Sequence, residues 1–119
     1  MKVSRINDVP KESAASKLFT SDQVFRQPLA PDSKDFNASV VSFGHGVRNK
    51  FHTHESDQLL IVTSGKGVIV TEHEPVQIEA GDVVFAPGGE KHWHGAEGDN
   101  EFAHITVTRK DSKTTQLED

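Results

Sequence analysis

The sequence contains no cysteine and no tyrosine, and only one tryptophan and one methionine occur among its 119 residues. The lack of cysteine excludes a disulfide framework and a thiolate metal site. No apolar run approaches the roughly 18 residues of a membrane-spanning helix. The opening segment, MKVSRINDVP, has no apolar core of signal-peptide type. We therefore expect a soluble, cytoplasmic protein with no membrane partner.

Positive charge is also in short supply. The chain has 13 Lys and Arg against 18 Asp and Glu, which gives a formal net charge of −5, and the two signs are interspersed. Nucleic-acid-binding proteins concentrate basic residues on one face, so we expect no nucleic-acid partner. The unusual feature that is present is a set of seven histidines. Histidine is the commonest metal ligand and general base, which makes these residues the first functional candidates.

A polar N-terminal segment precedes a series of short apolar runs. Within residues 1–36, KESAASKLFT is expected to be a short helical turn or an irregular arm, and the prolines of RQPLAPDSKDF indicate a loop. Over residues 37–108, runs such as ASVVSF and FAHITVTR alternate with Gly, Pro, Asn and Asp. This spacing predicts an all-β sandwich or barrel. Residues 109–119 form a polar C-terminal tail that we expect to be frayed.

Two H-x-H pairs lie in separate predicted strands. His52 and His54 belong to FHTHESDQ, and His92 and His94 belong to GEKHWHG. Because residues i and i+2 share one face of a strand, each pair points in one direction. A single pair in a β protein is about as often structural as metal-binding. Two pairs in one small barrel can gather several imidazoles in one cavity, where divalent ions from Mn to Zn accept them.

The two segments resemble the paired motifs of the cupin superfamily. The first motif, G-x5-H-x-H-x3-4-E-x6-G, is matched at Gly46, His52, His54, Gln58 and Gly65. The second motif, G-x5-P-x-G-x2-H-x3-N, is matched at Gly81, Pro87, Gly89, His92 and Ala96. Only two positions depart from the motifs, because Gln58 replaces a Glu and Ala96 replaces an Asn.

The cupin resemblance implies a small jelly-roll β-barrel that holds one divalent metal ion. By that resemblance the ligands are His52, His54, Gln58 and His92, and the N-terminal arm helps to build a homodimer interface. The chain is also similar to small cupins with three His and one Gln, which include the bacterial manganese-dependent hydroxynitrile lyases. The string GEKHWHG of residues 89–95 is part of that similarity. The implied metal is therefore Mn, with Fe, Zn, Ni or Co as alternatives.

The implied ligand set carries no charge. Three imidazoles and an amide leave a dication with its full charge, whereas a Glu ligand would offset one unit. Such an ion is a strong Lewis acid, and Fe(III) is less favoured than with a carboxylate present. This argument favours proton transfer or addition and elimination at a carbonyl over oxygen chemistry.

His94 and His104 are the candidates for a catalytic base. Strand alternation places His94 on the face of His92, and it places His104 inward with Thr106 and Thr108. A nearby dication would lower the pKa of either imidazole, which suits a general base for a hydroxyl proton. The alternative is that each only supports the ligands through hydrogen bonds. His45 and His73 occur in turn-like segments and are expected to be surface residues.

The remaining inward positions predict a mostly apolar wall. They are Ser39, Val41, Leu60, Val62 and Phe85. Such a wall suits a small aldehyde, ketone or aromatic compound. Trp93 alternates with its histidine neighbours and is expected to pack on the outside of the barrel.

Three functions fit these residues. The first is a metal-dependent lyase of hydroxynitrile type with a small-molecule substrate. The second is an Fe(II)-dependent cupin oxygenase that uses the same ligands. The third is a non-catalytic cupin that binds a small molecule. The sequence does not separate them.

Overall fold

Ten β-strands and one short 3₁₀ helix make up the fold, and the computed structural model describes all 119 residues. The elements are the 3₁₀ helix Ile6–Asp8 and the strands β1 (Glu12–Ser13), β2 (Val24–Pro28), β3 (Phe36–Phe43), β4 (His52–His54), β5 (Gln58–Thr71), β6 (Pro75–Glu79), β7 (Val83–Ala86), β8 (His92–Ala96), β9 (Phe102–Arg109) and β10 (Thr114–Gln116). No helix has the length and apolar character needed to span a bilayer. The prediction of an all-β jelly-roll barrel is confirmed.

Strand β5 connects the two halves of the barrel. The strands follow the order β1-β2-β3-β9-β5-β8-β4-β10, and β6 and β7 also pair with β5. The first half of β5 pairs with β7 and β9, and the second half pairs with β6 and β8. A register shift between Val62 and Ser64 marks the transition. Such a bulge bends a strand, so one long strand can belong to both walls.

Gly65 of the first cupin-like motif lies at this bend. Its φ is +76°, a conformation that residues with a Cβ rarely adopt. A Cβ built on Gly65 would lie 1.9 Å from the backbone oxygen of Glu101. Glycine is therefore required here by both backbone conformation and space.

The inward face of the barrel changes from apolar to polar along its axis. Along β9, the inward residues are Phe102, His104, Thr106 and Thr108. Phe102 belongs to the hydrophobic core, which consists of Val24, Phe43, Val47, Leu60, Val62, Ile69, Ile78, Ala96 and Phe102. Thr106 and Thr108 line an open cavity. The core therefore fills one end of the barrel, and the other end is available for a site.

The expectation of a loop in RQPLAPDSKDF is wrong for Arg26–Pro28. These residues belong to β2, which pairs with β3 and starts at Val24, a fully buried core residue. The Gln27 amide donates to the carbonyls of Ile6 and Val9, both at 2.9 Å. Pro28 ends the strand, where a missing N–H is tolerated. The polar composition of β2 gave no indication of a strand, because its partners come from the sheet and from the N-terminal arm.

The expected frayed C-terminal tail is also wrong. Strand β10 pairs antiparallel with β4, in a register that places Thr114 opposite His54. Beyond the strand, the Leu117 N–H donates to the Phe51 carbonyl at 2.8 Å. The Glu118 carboxylate pairs with Arg48 at 3.1 Å. Backbone pairing needs no apolar pattern, so composition gave no indication of this strand.

Candidate metal-binding site

Three imidazole rings meet at the open end of the barrel. His52 and His54 come from β4, and His92 comes from the neighbouring β8. The register places His52 directly opposite His92, and their ring centroids are 4.6 Å apart. One ring nitrogen of each of the three residues lies within 4.8 Å of the other two. The structure therefore brings three of the four predicted metal ligands together.

Hydrogen bonds from Nδ1 orient the rings of His52 and His92. His52 Nδ1 lies 2.5 Å from the Lys50 carbonyl oxygen, and His92 Nδ1 lies 2.9 Å from that of Glu90. A carbonyl only accepts, so each Nδ1 must carry the proton. The Nε2 lone pair of each ring is thereby left for another partner. This is the usual arrangement of a metal-binding histidine, whose second nitrogen donates to a fixed acceptor.

His54 is oriented in the same sense by a different group. Its Nδ1 lies 2.9 Å from the Thr114 hydroxyl oxygen on β10. The Nε2 atoms of both His52 and His54 are buried and have no hydrogen-bond partner in the protein. Buried polar atoms are rarely left unpaired, so these two nitrogens indicate a ligand between the rings.

Gln58, the fourth predicted ligand, completes the group from β5. Its amide Nε2 donates to the Thr106 hydroxyl at 3.0 Å, and its Oε1 lies 3.1 Å from His92 Nε2. A neutral imidazole has one N–H, so His92 cannot donate to both Gln58 and the Glu90 carbonyl. A cation held between His92 Nε2 and Gln58 Oε1 would satisfy both acceptors. The residues present therefore fit a divalent metal ion.

Burial keeps the first two histidines neutral. It lowers the pKa of His52 to about 4, although the hydrogen bond to the Lys50 carbonyl opposes this shift. Burial likewise lowers the pKa of His54 to about 4, with His92 adding to the effect. Both imidazoles are therefore unprotonated near neutral pH, as metal coordination requires.

His94 lies outside this group. It is 3% exposed, and its Nε2 lies 3.2 Å from the amide nitrogen of Asn49. The backbone N–H of His94 donates to Asn49 Oδ1 at 2.8 Å. Burial lowers the pKa of His94 well below its usual value. The Asn49 side chain thus holds His94 by two hydrogen bonds, and the Asn49 backbone N–H adds a third to the His94 carbonyl at 2.9 Å. No sequence pattern pointed to this asparagine.

His104 is the most isolated polar side chain of the barrel. It is 1% exposed, and neither ring nitrogen has a hydrogen-bond partner. Its ring packs against Phe43 and Phe102 at centroid distances of 5.7 and 5.5 Å, and against His94 at 4.9 Å. Burial lowers its pKa to about 4. The lowered pKa values of His94 and His104 thus have burial as their main cause.

An open cavity of about 560 Å³ reaches the metal-binding group through His54 and Gln58. Its wall is mixed, and many of its side chains carry hydroxyl groups, namely Ser13, Ser16, Ser39, Thr106, Thr108, Ser112 and Thr114. The arm also contributes the apolar residues Ala14, Ala15, Leu18 and Phe19. Neither His94 nor His104 lines this cavity. The expectation of a mostly apolar wall is wrong.

The individual wall predictions have different outcomes. Ser39 and Val41 line the cavity, and Leu60 and Val62 are inward core residues. The prediction that Phe85 faces inward is wrong, because its side chain is 63% exposed and it pairs with outward-facing Leu59. In β7 it is Val84 that packs against the core. The inward-facing residues of this strand are therefore Val84 and Ala86, and the predicted alternation along VVFA was wrong by one residue.

The remaining aromatic and histidine predictions are confirmed. Trp93 lies on the outside of the barrel, where the Arg48 guanidinium stacks 4.4 Å from its ring centroid. His45 and His73 are exposed. His45 pairs with Glu101 at 3.1 Å.

Known proteins resemble this chain in sequence and in structure. The family model for the cupin domain matches residues 39–108. The (R)-mandelonitrile lyase of Granulicella tundricola is 34% identical over 115 residues, which span 92% of this chain and 86% of that protein. A cupin-like protein from Thermotoga maritima is 32% identical with a TM-score of 0.81, covering 88% of this chain and 83% of that one.

More distant structures share the fold alone. A polyketide cyclase from Streptomyces resistomycificus superposes with a TM-score of 0.83 at 17% identity, covering all of this chain and 88% of its own. The barrel, the paired histidine motifs and the match over residues 39–108 agree with one another. The chain is a small member of the cupin superfamily.

Proposed function

We propose that the protein is a metal-dependent lyase of hydroxynitrile type, which interconverts a small cyanohydrin with its aldehyde and hydrogen cyanide. The observation that carries this proposal is the uncharged ligand group of His52, His54, His92 and Gln58 beside an open cavity. The similarity to a mandelonitrile lyase supports the same reaction class. We propose one divalent ion, with Mn favoured.

The ligand residues have a defined part in this proposal. The Nε2 atoms of His52, His54 and His92 and the Oε1 atom of Gln58 would hold the ion. When bound, the ion supplies Lewis-acid polarisation of a substrate oxygen. The neutral ligands preserve its charge, which favours this chemistry over the iron oxygenase alternative.

The reaction also needs a group that accepts a proton. A base takes the cyanohydrin hydroxyl proton, the carbonyl forms, and the C–C bond breaks with its electron pair leaving on cyanide. The same proton then converts cyanide to hydrogen cyanide. We propose His94 or His104 for this role; since neither side chain lines the cavity, the proton would have to reach it through an intervening water or side chain. The alternative is that His94 and His104 only support the ligand residues through hydrogen bonds.

The polar cavity wall narrows the substrate class. Ser39, Thr106 and Thr108 offer hydroxyl groups in the cavity that Gln58 lines, and Arg26, whose guanidinium is paired with Glu12, lines the same cavity. Hydroxyl groups can both donate and accept. We therefore propose a small substrate with polar substituents, for which a purely aromatic cyanohydrin is a usable but imperfect substitute.

Anaerobic turnover tests the reaction class. Manganese-loaded protein is mixed with mandelonitrile without oxygen, and benzaldehyde release is followed, with metal-free protein and His54→Ala as matched controls. Release that depends on metal and His54 is expected. The oxygenase reading instead predicts no anaerobic release and oxygen uptake by iron-loaded protein, and the binding-protein reading predicts neither. Failure of release with mandelonitrile and with a hydroxylated aliphatic cyanohydrin would refute the lyase.

Variants of His94 and His104, the two deep histidines, test which residue acts as the base. General-base catalysis contributes about 10²–10⁴-fold to a rate, so His94→Ala or His104→Ala should lose that much turnover while keeping metal. Near-parental rates in both metal-loaded variants would remove both residues from the reaction.

We further propose a homodimer. Val83 and Phe85 are 61% and 63% exposed on the outer face, and Leu59 beside them is 37% exposed. A cluster of exposed apolar side chains marks an interaction surface. A monomer in sedimentation at micromolar concentration would contradict the dimer.

Two further expectations stay predictions. The first is that the arm packs on a neighbouring barrel; within one chain, Ala14 and Phe19 of the arm contact their own core. The second is the cytoplasmic location.

A further inference from the structure

The three histidines of the metal-binding group have Nδ1 partners of two kinds. His52 and His92 each donate from Nδ1 to the backbone carbonyl two residues earlier, at Lys50 and Glu90. These contacts are formed wherever the local chain is folded. His54 instead uses the Thr114 hydroxyl, which is 60 residues away in sequence. One ligand therefore depends on a side chain of the C-terminal strand.

We propose that Thr114 is a positioning residue for His54, which fixes its tautomer and aims its Nε2 into the metal-binding group. This inference rests on the metal site proposed above. With Nδ1–H donating to the hydroxyl oxygen, the Nε2 lone pair faces inward, where it is buried and without a protein partner. The C-terminal strand then has a function beyond covering the edge of β4.

The strand does not need the Thr114 hydroxyl for its own docking. The Glu55 N–H donates to the Lys113 carbonyl at 3.0 Å, and the Glu55 carboxylate accepts from the Lys113 N–H at 2.8 Å. The Leu117 N–H donates to the Phe51 carbonyl at the other end of the strand. These bonds flank Thr114 on both sides. Removing the hydroxyl should therefore leave β10 in place and disturb only its contact with His54.

Tautomer control has a predictable effect on metal affinity. The hydrogen-bonding partner of a ligating histidine typically contributes about 10–100-fold to affinity. The Thr114 side chain is exposed at the cavity wall, where water can replace part of the lost bond. We therefore expect a change near the lower end of that range, about tenfold.

The test uses full-length protein and Mn(II) alone, titrated by the EPR signal of the free aquo ion. Thr114→Val preserves side-chain shape and removes the hydroxyl, and Thr114→Ser preserves the hydroxyl. Thr115→Val is the matched control, because Thr115 lies on the same strand and has no bond to a ligand. Thr114→Val is expected to bind Mn(II) about tenfold more weakly, with Thr114→Ser and Thr115→Val close to the parent.

Parental affinity in Thr114→Val, together with lost binding in His54→Ala, would overturn the role of Thr114 and leave the metal site intact. No stoichiometric binding of Mn(II) by the parent protein, and none of Zn(II) or Co(II) in a corresponding titration, would overturn the metal site itself. A second measurement decides the matter even if Thr114→Val fails to fold. Long-range ¹H–¹⁵N spectra of the metal-free parent should show the His54 proton on Nδ1, and a proton on Nε2 would refute the inference.

Discussion

The two H-x-H pairs have the same spacing, but the structure uses them differently. Both members of the first pair, His52 and His54, belong to the metal-binding group. In the second pair only His92 belongs to it, and His94 is bonded to Asn49 inside the barrel. The rings of His92 and His94 are nearly parallel, at an angle of 15° and a centroid distance of 5.9 Å. A separation of two residues therefore places His92 and His94 on the same face of the strand, but it does not place them in the same site.

Antiparallel pairing explains the difference. His52 lies opposite His92 in the register of β4 and β8. The two strands run in opposite directions. His54, two residues after His52, and His94, two residues after His92, therefore lie on opposite sides of the His52–His92 pair. His54 lies toward the cavity, which it lines, and His94 lies toward the core beside His104. Strand alternation predicts the face of a side chain, and strand direction decides its depth.

The sharpest test of this comparison substitutes alanine in each pair. His54→Ala should remove most bound metal, with an affinity loss of at least about 100-fold, while the barrel stays folded. His94→Ala should keep metal but lose about 3 kcal/mol of stability, since it creates a cavity and leaves the Asn49 amide nitrogen without its imidazole partner. Metal analysis and thermal unfolding of both variants give the result. Stoichiometric metal in His54→Ala would contradict the ligand assignment.

The sequence predicts more of the site than of its support. All four proposed ligands could be named, because the resemblance to the two cupin motifs implied them. Asn49 and Thr114 could not be named, because each acts through tertiary contacts with a histidine 45 or 60 residues away. A polar residue carries no periodic signal that tells which distant group it will meet.

The same limit explains the errors at the chain ends. Strands β2 and β10 are edge or near-edge strands with polar side chains. Their stability comes largely from backbone pairing, and their composition resembles that of a loop. The central strand β5 was recognisable because alternate residues Gln58, Leu60 and Val62 are buried. Prediction was therefore best where a strand has one face in the core.

A second test isolates the contribution of His104 among the buried histidines by pH. Burial lowers the pKa of His104 to about 4 from an ordinary 6.5. The unfolded chain accepts a proton below pH 6.5 and the folded protein does not, so stability is present above that pH and is lost as pH falls toward 4. The expected loss is at most about 3 kcal/mol from this residue.

Metal-free parent and His104→Leu are compared by denaturant unfolding from pH 7 to pH 4. His104→Leu should lose less stability over this interval, since it lacks one buried group that resists protonation. His94, which contacts His104 and is itself held neutral by burial, remains in both proteins. Equal pH dependence in the two proteins would show that His104 is not held neutral by the fold.

The smallest expected effect concerns Gln58, which completes the ligand group and has no contact with the deep pair. Gln58→Glu is nearly isosteric, and Thr106 can donate to a carboxylate as readily as it accepts from the amide. The added negative charge should increase divalent-metal affinity, on the order of tenfold. The charge of the bound ion is then partly offset, so Lewis-acid activation of the substrate should weaken.

We therefore expect Gln58→Glu to bind more metal and to turn over cyanohydrin more slowly at equal metal loading. Oxygen uptake by the iron-loaded variant should change in the opposite direction, because a carboxylate ligand favours Fe(III). Metal content, anaerobic turnover and oxygen uptake are measured on the same preparation, with Gln23→Glu at an exposed position as a control of equal charge. Turnover equal to the parent would mean that the neutrality of Gln58 has no chemical role. The amide would then be an ordinary oxygen donor, and the lyase proposal would depend on similarity to its relative alone.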